Sequence, residues 1–341
     1  MAFSLFKLED RFSKTKFSVG LDIGGSAVKF VKLRFSKDTV ELCDFNIEPA
    51  AVDLIPVLKR IAESQDTKKV NLAVSGSSTI IRYVSFPKMS ETELKQALKF
   101  ETQKHIPFSI EEVEVDSYIL KQDFPDNKML VLLAAVKKDF LSQRLKLLEE
   151  AGFKVGLTDL DSLALVNAFN YGPSAGDKVK NTIVALINIG FSSSNLNILE
   201  NSIPRLSRDI HYAGRNFTEK IADTLNLDFK SAEALKLNPD KERMDKLAAA
   251  MESAAVNLSS EIRTSFDYYE SQGSTSVSRI YLSGGGSLFA GLKDILTNLL
   301  GIQVEMWDPL TQISLSGDID SQKIKSVSGQ LAVALGLALR G

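Results

Sequence analysis

The chain has 341 residues, enough for two domains or one bilobal unit with an ample core, and 44% hydrophobic with 25% charged residues is ordinary globular composition. Its 41 Lys and Arg against 43 Asp and Glu leave a net charge of −2, which disfavours a nucleic-acid binder. Cys43 is the only cysteine, so an intramolecular disulfide and a cysteine zinc site are excluded, and no run approaches the roughly 18 apolar residues that cross a bilayer.

Residues 1–17 interleave Phe3, Leu5, Phe6, Leu8 and Phe12 with Lys7, Arg11, Lys14 and Lys16. This mildly basic amphipathic arm either lies on a membrane surface or packs on the body. Residues 17–47 read as three strands, the first delivering Asp22 to a Gly-Gly-Ser turn, followed by a helix at 54–62 and a parallel strand at 70–74. Beyond Gly76 the pattern changes. An antiparallel strand at 79–86 precedes a capping box, Ser90 with Glu93, that opens a helix over 91–104. Strands at 113–120 and 129–136 flank the turn Pro125-Asp126-Asn127, and a helix at 139–151 stops at Gly152. Residues 77–152 therefore form an inserted α+β subdomain.

The core resumes with a strand at 154–160 and a helix at 162–170, and Gly172-Pro173-Ser174-Ala175-Gly176 is the clearest linker. Half a chain after the first turn the pattern returns: a strand from Ile183 carries Asn188, where Asp22 stood, into Ile-Gly and a hydroxyl-rich turn. A strand at 203–210, helices at 216–225 and 241–269, and a strand ending in Gly284-Gly285-Gly286 before a helix at 288–300 follow. An apolar small-residue helix at 328–339 packs against the first sheet.

Glycine turns between paired strands gather backbone N–H groups into nests that bind phosphate oxygens. Gly24, Gly25, Ser26 and Ala27 supply one nest; Gly190, Phe191, Ser192 and Ser193 supply the second, and the pair would grip a triphosphate from both lobes. Lys29 adds charge toward the β-phosphate, while Asp22 is suited to a hydrated magnesium ion. Each turn taken alone also reads as a common glycine hairpin. His105 and His211 lack a paired carboxylate motif and read as structural.

DIGGSAVK, NIGFSSSNLNI and SGGGSLFAG resemble the phosphate and adenosine motifs of the actin-like ATPase superfamily. Within it, residues 82–120, EIRTSFDYY and VALGLALR are similar to the PilM family of type IV pilus assembly, and the likeness runs over residues 19–340. The resemblance implies an α/β fold, actin-like (ribonuclease H-like), duplicated and bilobal, with residues 18–76, 153–175 and 326–341 in the first lobe and 176–325 in the second. It implies ATP and magnesium as cofactors, with Gly284, Gly285, Gly286 and Phe289 at the adenosine. Glu219 and Lys220 resemble positions that close over it, although a solvated helix face fits them as well. Asp161 falls where such ATPases orient the attacking water; it also reads as a carboxylate favoured by a helix start.

One departure matters: relatives carry an aspartate where this chain has Asn188, which can hold magnesium only through water and brings no charge. Weak or no hydrolysis is the expectation. The implied function is a cytoplasmic scaffold, peripheral at the inner membrane, that binds the N-terminal peptide of PilN near strand 113–120 and couples nucleotide state to the pilus machinery. Other pilus motor or platform proteins and homo-oligomerisation stay open as partners. The alternatives are a small-molecule kinase of the same superfamily and a filament former like FtsA.

Overall fold

The computed structural model describes residues 16–37, 39–171, 182–273 and 275–340, so the amphipathic arm up to residue 15 and the linker 172–176 lie outside the described residues. β1 (Lys16–Ile23), β2 (Ala27–Phe35) and β3 (Val40–Pro49) pair antiparallel through tight turns. α1 (Ile55–Ser64) buries Val57, Leu58 and Ile61 and leads to β4 (Lys69–Val74), which runs parallel to β1; β8 (Lys154–Leu160) then adds parallel to β4.

The second half repeats this plan. β9 (Ile183–Ile189), β10 (Ser194–Glu200) and β11 (Ile203–Ile210) are antiparallel, β12 (Arg279–Ser283) is parallel to β9, and β13 (Gln303–Met306) is parallel to β12. The orders β3-β2-β1-β4-β8 and β11-β10-β9-β12-β13 match position for position, so the likeness of two short turns extends to two whole sheets. From β11 the chain crosses to β12 through α5 (Gly214–Leu225), α6 (Phe229–Leu237) and α7 (Met244–Glu270). α6 has no counterpart in the sequence expectations; Asp228 caps it by accepting from the Ser231 N–H.

The insertion is a sheet ordered β5-β7-β6, from β5 (Thr79–Pro87), β6 (Val113–Phe124) and β7 (Lys128–Lys137), with α2 (Glu91–His105) capped as the sequence predicts. β7 is a continuous apolar run because both its faces are covered: Leu132, Ala134 and Val136 join the first lobe's core, while Met129, Val131 and Leu133 pack with Leu94 of α2. The same physics places α3 (Lys138–Glu150). Its Leu141 and Leu148 are buried with Leu58 and Ile61, so this helix packs on the first lobe although the sequence reading grouped it with the insertion.

The C-terminal region also returns earlier than expected. β14 (Ser314–Leu315) already pairs with β3, and α9 (Ser321–Val327) buries Ile324 against the same face, ahead of the expected junction at 326. α8 (Leu292–Leu300) begins four residues later than the glycine-rich pattern suggests, because Gly291 sits at φ 86 and Gly285–Ser287 form a separate 3₁₀ turn. The apolar tail folds as another 3₁₀ turn (Ser328–Leu331) and α10 (Ala332–Ala338).

α10 lies against β1 and against α4 (Asp161–Tyr171) at backbone distance. A Cβ added at Gly20 would stand 1.9 Å from the Ala334 carbonyl oxygen, and one at Gly336 would stand 1.8 Å from that of Ala164. Asn167 and Asn71 fasten the helix by donating to the Gly336 and Leu337 carbonyls at 2.7 and 2.9 Å. Gly20→Ala is therefore expected to lower unfolding free energy by about 3 kcal/mol, because backbone cannot yield as a side chain can. Chemical denaturation checks it, and a loss below about 0.5 kcal/mol would contradict the packing described.

Candidate functional site

Both nest-type turns close with the same hydrogen bond, Gly24 N–H to Ala27 O at 3.0 Å and Gly190 N–H to Ser193 O at 3.1 Å. They face one another. A Cβ at Gly25 would lie 2.5 Å from Ser192 Oγ and 3.5 Å from the Phe191 ring, so the lobes meet at their turns, the side chains of the second turn resting on the bare Gly25 backbone of the first. The third glycine turn joins them: Gly284, at φ 89, approaches the Ile189 carbonyl and the Asn188 side chain, and a Cβ at Gly286 would lie 2.8 Å from Gly190 O. The carbonyls of Gly190 and Phe191 accept from the Gly214 and Arg215 N–H groups, which fixes the start of α5 on the second turn.

The charged groups are arranged less as the sequence suggests. Asp22 and Lys29 stand directly opposite in the β1–β2 register, and Lys29 Nζ donates to Asp22 Oδ2 at 2.7 Å with both side chains largely buried. Lys29 Nζ is thus held by Asp22 beside the first turn, 3.1 Å from where a Cβ at Gly24 would stand. Asn188 is engaged at both ends. Its Nδ2 donates to Asn195 Oδ1 at 3.3 Å and its Oδ1 accepts from Ser283 Oγ at 3.3 Å. Asn195 donates onward to Asp209 Oδ1 at 2.8 Å, and Asp209 Oδ2 accepts from the Gly76 N–H at 3.3 Å. A hydrogen-bonded line therefore runs from the third turn through Asn188 to the root of the insertion.

Asp161, the first residue of α4, is half-buried beside this line, and its carboxyl is pushed up to about 7. Burial is the main cause, the charge on Asp22 adds to it, and a hydrogen bond from Ser75 opposes it. A carboxyl balanced near neutrality beside two other aspartates can take or release a proton at physiological pH. Asp209 and Asn195 were not singled out from the sequence: β10 and β11 each carry several polar residues, and only the strand register, which sets Asn195 opposite both Asn188 and Asp209, marks these two. Among the described residues no three His, Cys, Asp or Glu side chains are grouped as a metal site.

Glu219 accepts from Arg215 Nε at 2.9 Å across one turn of α5, the solvated-face geometry, and Lys220 beside it is half-buried. Phe289 packs partly buried on the second lobe's core. Gly285 lies beside Gln330, a Cβ there being 3.5 Å from its Oε1, and Gly284 N–H donates to Gly329 O at 2.8 Å, so the third turn also touches the C-terminal region. Ser26 is exposed, as a donor to a ligand must be, and its carbonyl accepts from Ala50.

The family model for type IV pilus assembly protein PilM matches residues 20–341. Among solved structures, one described as a PilM-PilN type IV pilus biogenesis complex superposes with a TM-score of 0.83 and 27% identity, covering 95% of this chain and 98% of that one. Ethanolamine utilization protein EutJ from Carboxydothermus hydrogenoformans follows at TM-score 0.56 and 13% identity, covering 97% and 92%. MreB 5 of Spiroplasma citri bound to AMPPNP gives 0.50 and 13%, covering 95% of each. The last two show the fold alone, which is the actin-like one.

The raised carboxyl of Asp161 carries a pH dependence. An acid that holds its proton more tightly when folded stabilises the fold at low pH, and that contribution is lost as pH rises from the unfolded value of about 4 through about 7. Asp161→Asn keeps the shape without the charge, so its melting temperature relative to wild type should rise between about pH 5 and about pH 8. Thermal unfolding across that range checks it; a difference that does not change with pH would mean that Asp161 carries no buried charge.

Proposed function

The chain belongs to the type IV pilus assembly PilM family, and from that premise we propose that it is an ATP-binding adaptor which receives the N-terminal peptide of PilN and relays nucleotide state to the pilus machinery. The observation that carries this reading is the meeting of three small-residue turns at one point, continuous through Asn188, Asn195 and Asp209 with the root of the inserted subdomain. Glycines at the contact leave room for phosphate oxygens against backbone N–H groups. Gly24 to Ala27 and Gly190 to Ser193 would hold the phosphates, the third turn with Phe289 and Lys220 the adenosine, and Asp22 with Asn188 the water shell of magnesium. Bound magnesium supplies positive charge to the phosphate oxygens.

Hydrolysis should be slow for reasons local to this chain. Asn188 adds no charge beside the metal, Lys29 neutralises Asp22, and Asp161 spends part of its time protonated at neutral pH, when it cannot accept a proton from water. Aspartate at position 188 would restore charge, yet it could not donate to Asn195. Asn188→Asp should therefore raise ATP turnover roughly three- to tenfold while lowering stability by about 1–3 kcal/mol. An unchanged rate in a phosphate-release assay would show that Asn188 is not the limiting residue.

The PilN peptide is assigned to the outer edge of the insertion. β6 ends its sheet, and a groove of about 320 Å³ lies between it and α2, lined by Leu94 and Ile119 with two carboxylates, Glu91 and Asp116, against one lysine, Lys95. An extended peptide gains main-chain hydrogen bonds at such an edge, and the carboxylates suit a basic N-terminal segment. Attachment to the membrane then comes through the partner; among the described residues no helix is long and apolar enough to cross one. Calorimetric titration with a PilN N-terminal peptide should give a dissociation constant near or below about 10 μM, altered about fivefold by ATP with magnesium. No heat at about 1 mM peptide would overturn the partner assignment, and an affinity indifferent to nucleotide would overturn the relay.

A further inference from the structure

On the other side of the insertion lie three neighbouring cavities of about 470, 270 and 480 Å³; the first and last border α7, and the second lies between β5, β11 and the ends of β4 and β8. The first two share Arg82 and Arg208, the last two share Arg208, Asp209 and His211, and Asp161, Asp209 and Glu261 bring carboxylates to the second and third. The first is lined by Arg82, Arg205 and Arg208 together with Tyr83, Tyr268 and Tyr269, and by no carboxylate. Glu261 and Glu200, from outside this cavity, offset two of the three guanidinium groups, which leaves Arg82 for an anion.

Two of the three are held in place. Arg208 donates to Ser265 Oγ at 2.9 Å and to Glu261 Oε2 at 2.8 Å, while Arg205 lies 4.7 Å over the Phe124 ring and 3.4 Å from Glu200. Arg82 is exposed; it donates to the Ile81 carbonyl, and no carboxylate pairs with it among the described residues. Tyr268 is 58% exposed beside them, an apolar platform at the rim.

The trough is shaped for an extended chain. The carboxylate-free cavity follows the end of α7 from Thr264 to Tyr269 and reaches Gln272 just beyond it, roughly 12 Å at the helical rise, which about four extended residues would fill. β5 and β11 both line it, and each is the last strand of its sheet, so strand edges with hydrogen-bonding groups stand along it. A small anion would use only one end.

We propose that this trough binds an extended, carboxylate-rich peptide segment of a partner protein, its acidic side chains on Arg82, Arg205 and Arg208 and an apolar side chain on Tyr268. The site is independent of the PilN assignment, which uses β6 at the opposite edge of the same sheet. Its walls come from different bodies, β5 from the insertion and β11 with α7 from the second lobe. They touch through Tyr83 Oη and Ser207 Oγ at 2.7 Å and through Gly76 and Asp209. A segment seated there bridges the two and favours the lobe arrangement in which the walls lie at this distance.

Fluorescence anisotropy with a labelled peptide of about seven residues alternating Glu with Leu or Val, and with its Lys counterpart, tests the site on the full chain. The acidic peptide should bind with a dissociation constant below about 100 μM. Binding should weaken about tenfold in Arg82→Glu and about threefold in Tyr268→Ala, and fall between roughly 50 and 300 mM salt; the Lys peptide should not bind. Both substitutions are at exposed positions, and unchanged melting temperatures confirm that they act on binding. No saturation at about 1 mM acidic peptide, or equal affinity in both variants and wild type, would overturn the proposal. So would displacement by millimolar inorganic phosphate as effective as by unlabelled peptide, which would make the site one for small anions.

Discussion

Everything in this protein is positioned by a short helix held at backbone contact with two other elements. α10 touches β1 where Gly20 leaves no side chain and touches α4 where its own Gly336 leaves none, and asparagine side chains from α4 and β4 bind its carbonyls. β1 carries Asp22 and the first turn, and α4 begins with Asp161, so α10 sets the spacing of the two carboxylates. The buried ion pair of Arg340 with Asp159 at 2.8 Å anchors the end of this helix to β8. Because Asp159 is fully buried, removing Arg340 would strand an uncompensated charge.

From that base the two lobes meet on α4 as well. Leu165, Val166 and Phe169 pack against Val184, Leu186 and Leu199 of the second sheet, with Tyr281 and Trp307 stacked near Phe169 at 5.2 and 5.4 Å. This apolar layer is a fulcrum behind the turns. The turns themselves touch at Gly25 and Ser192, and the only polar lines crossing toward the insertion run through Asp209 and Tyr83 among the hydrogen bonds described. Burial pushes the Tyr83 phenol up, so it remains a neutral hydroxyl that serves as a fixed hydrogen-bonding post. A lobe rotation that parts the turns must strain or break these few contacts.

The twin turns differ in charge and in what surrounds the polar residue. Asp22 is answered by a lysine on the neighbouring strand, whereas Asn188 is built into a row of amides that needs it both to donate and to accept. Asparagine does this and aspartate does not. The loss of charge at Asn188 is thus matched by neighbours that fit a neutral amide, which places the residue in the architecture as well as in the site.

Much of this was legible along the chain. Period-two alternation around glycine turns marked the paired strands, the Ser90 and Glu93 capping box marked α2, and the recurrence of a strand, a polar residue and a small-residue turn marked the duplication. These are local signals, fixed by pleat, cap and turn chemistry within a few residues. The short elements escaped: β13, β14, α6 and α9 have too few residues for a period to show, and they form because partners from elsewhere pair with or bury them. The start of α8 was misplaced because glycine composition does not reveal which glycine takes a positive φ.

The sequence by itself determined the candidate turns, the aspartate and asparagine near the ends of their strands, and the family. Only the tertiary structure decided what those side chains do. It spent the charge of Lys29 on Asp22, raised the Asp161 carboxyl by burying it near Asp22, brought in Asp209 and Asn195, and gathered three arginines from distant strands into one trough. Burial and electrostatic interaction depend on distance in space, and residues remote along the chain supply most of both.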